Sequence, residues 1–176
     1  PVPEGADLHL VGIYYLDGSN AEYVGGTVKD GTITARLNHF SVYAALEYDK
    51  TFSDLKDGHW AAQAVKRLAA KHAVKGEGDG RFAPERPVTR AEFAAMLART
   101  LGLTGEAGAS FKDVAPDQWF AGEVARLAQA GIVQGGPDGT FEPAKRITRQ
   151  EMAVMIVRAY EYATGQQAAS GGEAKA

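Results

Sequence analysis

Two similar segments of the chain each place an arginine where a helix is expected to begin. The segments are PVTRAEFAAML at 87–97 and RITRQEMAVMI at 146–156, and the arginines are Arg90 and Arg149. A cation at a helix N-terminus is unfavourable by roughly 0.3–1 kcal/mol, because that end carries a partial positive charge. A bound anion would explain both residues, since backbone amides and a guanidinium fork suit a carboxylate or a phosphate. The alternative for each arginine is a salt bridge to an acid in a neighbouring structural unit.

The residues that flank each arginine match a helix capping box. Thr89 and Glu92 have the spacing at which a threonine hydroxyl and a glutamate each accept a hydrogen bond from the other residue's backbone amide. Thr148 and Glu151 have the same spacing. We interpret these four residues as mainly structural. A capping box does not need arginine at its second position, so both interpretations of the two arginines stay open.

Both segments belong to an internal repeat with a period of 59 residues. A shift of this length places FSDLKDGHW at 52–60 on FKDVAPDQW at 111–119, and it places 74–92 on 133–151 without a gap. The pairs that coincide include Asp54 and Asp113, Trp60 and Trp119, Gly76 and Gly135, and the two arginines. Such repetition is typical of stacked supersecondary units that bury their apolar faces against one another.

Each repeat is predicted to form a helix, a loop and a second helix. The helical spacing of apolar residues predicts helices near 58–72, 89–101, 117–131 and 148–163. These apolar stripes are expected to be core. They comprise Trp60, Ala64, Val65, Leu68 and Ala69, then Phe93, Met96, Leu97 and Leu101, then Trp119, Val124, Leu127 and Ala128, then Met152, Met155, Ile156 and Tyr160.

The first 50 residues have a different composition from the repeats. The runs LHLVGIYYL, AEYVGGTV, GTITARL and FSVYAALEY are β-prone, and DGSN and KDG between them suit hairpin turns. They predict three or four antiparallel strands, which we interpret as the C-terminal strands of a β-sandwich-like module. The predicted class is therefore α+β. The predicted divisions are this module at 1–50, the repeats at 51–109 and 110–165, and a linker at 166–176.

Composition argues against several classes of function. The net charge of −3 disfavours nucleic-acid binding, which needs a basic face. No apolar run approaches the roughly 20 residues of a membrane span. The chain has no cysteine, its four histidines lack metal-ligand spacing, and its glycine loops lack the carboxylates of a calcium site. No nucleophile–base pair or nucleotide motif occurs, so we expect neither a cofactor nor a catalytic site.

The motifs of the repeats, taken in their order along the chain, resemble those of the S-layer homology family over about 51–165. These motifs are F-x-D, a tryptophan near the first helix, G-x-x-D-G-x-F-x-P in the loop, and T-R-x-E at the second helix. The resemblance implies non-catalytic anchoring at the bacterial cell wall or S-layer. In that family, three repeats form a pseudo-threefold helical bundle whose grooves hold a secondary cell-wall polysaccharide, typically with a pyruvylated amino sugar.

The resemblance also implies which residues bind the polymer. They are Arg90, Asp54, Trp60 and Gly76 in the first repeat, and Arg149, Asp113, Trp119 and Gly135 in the second. A pyruvate ketal carries a carboxylate, which suits a bidentate arginine, and tryptophan offers a flat face to a sugar ring. The first repeat departs from the family pattern at His72, where the family usually has glycine, so we expect a less regular helix end there.

The resemblance extends over two repeats, so a third would complete the bundle. The segment 166–176 is interpreted as the linker that would lead into it. We expect an open apolar face in its absence, and such a face favours self-association. The alternative to a pure anchor is the wall-tethering part of a larger surface enzyme, such as a glycoside hydrolase.

Overall fold

A computed structural model describes residues 1–37, 39–108 and 111–167, so most of the expected linker at 166–176 lies outside the described residues. Strands precede helices, which confirms the α+β class. The strands are β1 (Val11–Asp17), β2 (Asn20–Gly25), β3 (Thr27–Lys29), β4 (Thr32–Thr34) and β5 (Tyr43–Glu47). The helices are α1 (Ala62–Ala70), α2 (Arg90–Thr100), α3 (Ala121–Gln129) and α4 (Arg149–Thr164). Within the described residues, no helix is both long and apolar enough to cross a membrane.

The strands form two antiparallel sheets. One has three strands in the order β2, β1, β5, and the other pairs β3 with β4. The β-prone run AEYVGGTV is divided between the sheets at Gly25 and Gly26, whose φ angles are 135° and 140°. Only glycine readily adopts backbone φ angles in this range. Asp30 and Gly31 both have positive φ between β3 and β4, as a type I′ hairpin turn requires.

The chain divides into two compact units between Arg86 and Pro87. The first unit contains the five strands and α1, and the second contains α2, α3 and α4. The second helix of the first repeat therefore packs with the second repeat. The boundary between the packed units therefore lies one helix earlier than the boundary between the sequence repeats. The predicted bounds of the repeats remain a prediction.

In the first unit, the three-stranded sheet is joined to α1 through Tyr14. This side chain is fully buried, and its hydroxyl donates a hydrogen bond to the carbonyl of Ala70. Ala70 is the last residue of α1, where a helix leaves its carbonyls without intrahelical partners. Burial raises the pKa of Tyr14 far above its usual range, with the neighbouring Tyr23 and Tyr48 acting in the same direction.

The first helices of the two repeats end in the same way. The amide of Ala73 donates to the carbonyl of Leu68 at 2.9 Å, which is the long bond of a Schellman motif, and α3 ends with the matching bond. The left-handed position of this motif is Gly131 after α3 and His72 after α1, with φ of 73° and 53°. A side chain there costs about 1–2 kcal/mol. The expectation of a less regular end at His72 is thus wrong for its hydrogen bonding.

The core of the second unit forms where short side chains of α2 meet α3. Ala94 and Ala98 on α2 and Val124 and Leu127 on α3 are completely buried. Alanine is short, so the two helices approach closely. The larger residues of the α2 stripe are only partly buried; Phe93, Leu97 and Leu101 pack around this centre.

The prediction that the whole apolar stripe of α4 is core is wrong. Met155 is 3% exposed, whereas Ile156 and Tyr160 are 53% and 52% exposed. Val154 and Val157 are also exposed. We call these four exposed residues, Val154, Ile156, Val157 and Tyr160, the outer face of α4. Because these residues are exposed while Met155 and Ala159 are buried, α4 buries only one side within this unit.

The prediction that Trp60 and Trp119 belong to helical core stripes is also wrong. The turns before α1 and α3 are closed by bonds from Ala62 to the carbonyl of His59 and from Ala121 to that of Gln118, each 2.9 Å long. Because of these turns, both helices begin later in the chain than predicted, and the two tryptophans lie in the turns instead of in the helices. Trp60 is 90% exposed and Trp119 is 60% exposed.

The two sides of α4 predict opposite responses to truncation. Met155→Ala should lower the free energy of unfolding by about 2–4 kcal/mol, because it leaves a cavity in the core. In the monomer, Ile156→Ala should change it by less than about 0.5 kcal/mol, because more than half of the side chain is already exposed. Urea unfolding of both variants measures this difference. Equal losses would show that the orientation of α4 is wrong.

Candidate functional site

Arg90 is enclosed by groups of the second repeat. Its Nη1 donates to Oε1 of Glu151 at 3.1 Å, and its Nη2 donates to the carbonyl of Gln134 at 3.0 Å. The guanidinium also lies 4.8 Å from the ring centre of Phe141, and the side chain is only 12% exposed. This arrangement is the salt bridge to a neighbouring repeat that the sequence left open as the alternative to a ligand contact.

The N-terminus of α2 is occupied as well. The amide of Arg90 donates to the carbonyl of Lys145 at 2.8 Å, and that of Ala91 donates to the carbonyl of Pro143 at 3.0 Å. Thr89 and Glu92 form the reciprocal capping box. The first amides of this helix therefore already have acceptors from the loop before α4. An external anion would have to displace them.

Glu151 serves two helices at once. Its Oε2 accepts the amide of Thr148 at 2.8 Å, which closes the capping box of α4. Its Oε1 faces Arg90 and also lies 3.3 Å from Nζ of Lys145. The backbone bond from Thr148 is the main cause that holds the pKa of Glu151 below its usual value, and Lys145 acts in the same direction. The carboxylate is thus kept ionised, as the pair with Arg90 requires.

Arg149 has the same local sequence as Arg90 but different surroundings. It is exposed, and within the described residues its guanidinium has neither a hydrogen bond nor an ion pair. The amides of Arg149 and Gln150 likewise have no acceptor in that part of the chain. The start of α4 therefore presents a cation and free helix amides to solvent, which is the combination that suits a carboxylate.

Asp54 and Asp113 each hold the loop that follows the glycine turn of their repeat. The oxygens of Asp113 accept the amides of Phe141 and Glu142, both at 2.7 Å. Asp54 does the same at 2.8 and 2.7 Å for Phe82 and the next residue. These backbone bonds, with that from Phe82 the largest contribution, lower the pKa of Asp54. Both carboxylates therefore have a structural task.

Gly76 and Gly135 are places where the backbone passes close to an aromatic ring. A Cβ on Gly76 would lie 2.4 Å from the ring of Phe52, and one on Gly135 would lie 2.7 Å from the ring of Phe111. Contacts below 3.0 Å do not occur without a shift of the neighbour. Each glycine thus lets a phenylalanine pack under the loop. In the second unit, Gly135, Asp113 and Arg90 all converge on the loop around Phe141.

Sequence reasoning missed a second link between α2 and the following repeat. Arg99 donates from Nε and Nη2 to Oε1 of Glu123, at 3.1 and 2.9 Å. The guanidinium of Arg99 also lies 5.7 Å from the ring centre of Trp119. The repeat of Arg99 at Arg158 was the available signal. The first repeat, however, has Ala64 in the place of Glu123, which hid the acidic partner.

The chain matches known proteins over both repeats. The family described as "S-layer homology domain" matches residues 51–94 and 110–153. The amylopullulanase of Thermoanaerobacterium thermosulfurigenes is 42% identical over 169 residues, which is 93% of this chain and 9% of that protein. The S-layer protein sap of Bacillus anthracis is 38% identical over 136 residues, or 76% of this chain and 16% of that protein.

A third relative carries a name that states an anchoring role. The cellulosome-anchoring protein of Acetivibrio thermocellus is 38% identical over 116 residues, which is 63% of this chain and 26% of that protein. The chain thus spans between about a tenth and a quarter of the length of these three relatives. Each matched segment contains the first helix of a repeat, the loop and the start of the second helix. This chain belongs to the S-layer homology family, whose repeats anchor proteins to the cell wall at the cell surface.

Proposed function

We propose that this chain binds an anionic secondary cell-wall polysaccharide and that a pyruvylated amino sugar is the unit it recognises. The observation that carries the proposal is the exposure of Trp60, Trp119 and Arg149 in a chain of this family. Exposed tryptophan offers an apolar face to a sugar ring. A free guanidinium at a helix N-terminus offers charge-assisted bonds to the ketal carboxylate.

The eight site residues take different parts in this proposal. Trp60, Trp119 and Arg149 contact the polymer directly. Arg90 holds α2 on the second repeat, while Asp54, Asp113, Gly76 and Gly135 fix the loops between the two helices of each repeat. Within the described residues, the side chains of the first three have no hydrogen bond or ion pair that a ligand must break, whereas Arg90 would have to leave Glu151.

The overall charge of the chain constrains how the polymer is recognised. A net charge of −3 repels an anionic chain at long range. Attraction must therefore come from local cations such as Arg149. Such exposed contacts are screened within about 10 Å at 0.1 M salt, so binding should weaken as salt is added.

The proposed tether fits two kinds of whole protein. Some relatives are named as S-layer proteins, and others are named as enzymes, including an amylopullulanase and an endo-1,4-beta-xylanase A. We propose that this chain is the wall-binding part in either setting and that any catalytic activity belongs to another domain.

A charge-neutralising pair of variants tests the proposed anion contact. Arg149→Gln should weaken binding to purified cell walls about tenfold to a hundredfold, because it removes charge-assisted hydrogen bonds worth about 1.5–3 kcal/mol. Arg146→Gln is the matched control, because Arg146 is exposed in the adjoining loop and carries the same charge. Binding is measured by sedimentation with walls before and after removal of their ketal pyruvate.

The outcome of that experiment separates a specific contact from general attraction. The proposal expects pyruvate removal to weaken the unaltered chain and the Arg146→Gln variant, with little further effect on Arg149→Gln. Equal losses for both variants would indicate non-specific charge attraction. Unchanged binding after pyruvate removal would rule out the proposed sugar.

Arg90 should respond in stability where Arg149 responds in binding. Arg90→Gln should lower the free energy of unfolding by about 1.5–3 kcal/mol, because the mostly buried Glu151 loses one of its two charged partners and keeps only Lys145. Arg149→Gln should leave it unchanged or slightly raised, because it removes a cation from a helix N-terminus. Urea unfolding measures both. A stable Arg90→Gln variant that has lost wall binding would restore Arg90 as the ligand contact.

We also propose that two copies of the chain associate through the outer face of α4. The internal repeat supports this proposal. Val154 and Val157 correspond, 59 residues earlier, to Ala95 and Ala98, which are completely buried on α2. The same side of the helix is thus covered by neighbouring residues in the first repeat and open in the second. A contiguous exposed apolar surface of this kind favours association.

Sedimentation velocity over a range of concentrations tests this association. The unaltered chain should sediment faster as its concentration rises, and Ile156→Ser with Tyr160→Ser should abolish the change, since both residues lie on the outer face. Val24→Ser, an exposed apolar residue of β2, is the matched control. A monomer at all concentrations would contradict the proposal.

A further inference from the structure

His72 lies among three tyrosines of the β-strand region. Its imidazole centre is 5.1 Å from the ring of Tyr48, 5.5 Å from that of Tyr14 and 6.5 Å from that of Tyr23. Tyr14 belongs to β1, Tyr23 to β2, and Tyr48 directly follows β5. One residue at the end of α1 therefore touches side chains from all three strands of the larger sheet.

The turn that contains His72 does not itself need a histidine. The matching turn after α3 closes with the same bonds around Gly131. Glycine occupies a left-handed position without the steric cost that a side chain incurs. The histidine side chain contacts the tyrosines of the sheet, so its contribution in the first repeat is attachment of that sheet.

The surroundings of the imidazole favour its neutral form. Nε2 is buried and has no hydrogen-bond partner in the described residues. Desolvation is the main cause that lowers the pKa of His72 below 6.5, and the positive charges of Lys75 and Lys50 act in the same direction. Glu22 opposes them with a smaller effect. Burial raises the pKa of Tyr14 and of Tyr23, so both of these phenols stay neutral where the imidazole titrates.

We propose that His72 is an acid-sensitive latch that holds the three-stranded sheet on the end of α1. In the protonated form both ring nitrogens carry a hydrogen, so Nε2 holds an N–H that no acceptor faces, and a charge is added beside two lysines. Attachment of the sheet is then weakened. The hydrogen bond from Tyr14 to Ala70 spans the same contact, so it should open together with the latch.

The direction of the pH effect follows from the two protonation states. In the detached or unfolded chain, His72 takes up a proton near its ordinary pKa of 6.5. In the attached state it does so only at lower pH. The attached form is therefore fully favoured above 6.5 and loses stability as the pH falls from there toward the lowered pKa. Each unit of pKa difference reduces the attachment equilibrium about tenfold once both forms are protonated.

Two measurements on the chain of residues 1–176 test the latch. In an NMR titration of the four histidines from about pH 8 to about pH 4.5, His72 should titrate below its ordinary pKa of 6.5. Thermal unfolding is followed over the same range through the near-ultraviolet circular dichroism of tyrosine. The melting temperature of the unaltered chain should decrease as the pH is lowered below 6.5. It should decrease less in His72→Gly and His72→Asn.

The two substitutions are chosen to keep the turn intact. Glycine reproduces the residue found after α3, and asparagine tolerates positive φ without titrating in this range. His9→Asn is the control for loss of a histidine outside the latch, and it should keep the full pH response. A His72 pKa at or above 6.5, measured in the unaltered chain, would overturn the proposal. So would a stability difference between the unaltered chain and His72→Gly that does not change with pH.

Discussion

The ion pair between Arg90 and Glu151 is the contact on which the second unit depends. It joins the first residue of α2 to the capping glutamate of α4, so both helix starts are fixed by one carboxylate. The loop before α4 adds carbonyls for the first amides of α2. With these polar ends fixed, small residues such as Ala94 and Ala98 can pack closely on α3. The second helix of the first repeat thus obtains its packing and its N-terminal contacts from the second repeat.

This offset explains why the two repeats differ although their sequences match. Arg90 meets a following repeat and is enclosed, whereas Arg149 starts the last described helix and is exposed. For the same reason, Ala98 on α2 is buried whereas the corresponding Val157 on α4 is exposed. A motif residue can therefore hold the structure in one repeat and be available to a ligand in the next. This is the physical basis for our division of the site residues.

Local rules predicted much of the fold. The 59-residue period, the T-R-x-E boxes and the glycine loops set four helices in the right order, because capping and turn formation depend on residues close in sequence. Burial was harder to predict. Trp60 has helical spacing with Ala64 and Val65, yet the turn before α1 puts it in solvent.

The role of each arginine was beyond sequence reasoning for a related reason. The partner of Arg90 is 61 residues away in the chain, and the local sequence around Arg149 is nearly the same. Only the tertiary packing distinguishes a guanidinium that is paired from one that is open. His72 shows the same limit, because its departure from glycine is visible in the sequence whereas the tyrosines that surround it come from distant strands.

Our central proposal is that the polymer contacts the exposed residues Trp60, Trp119 and Arg149 and leaves the ion pair between Arg90 and Glu151 intact. The most direct measurement is an NMR titration of the labelled chain with a soluble pyruvylated amino sugar. We expect changes in chemical shift at the indole N–H groups of Trp60 and Trp119 and at the side chain of Arg149, with the Nε signal of Arg90 unchanged. A saturable shift of the Arg90 signal, with no change at Arg149, would contradict it.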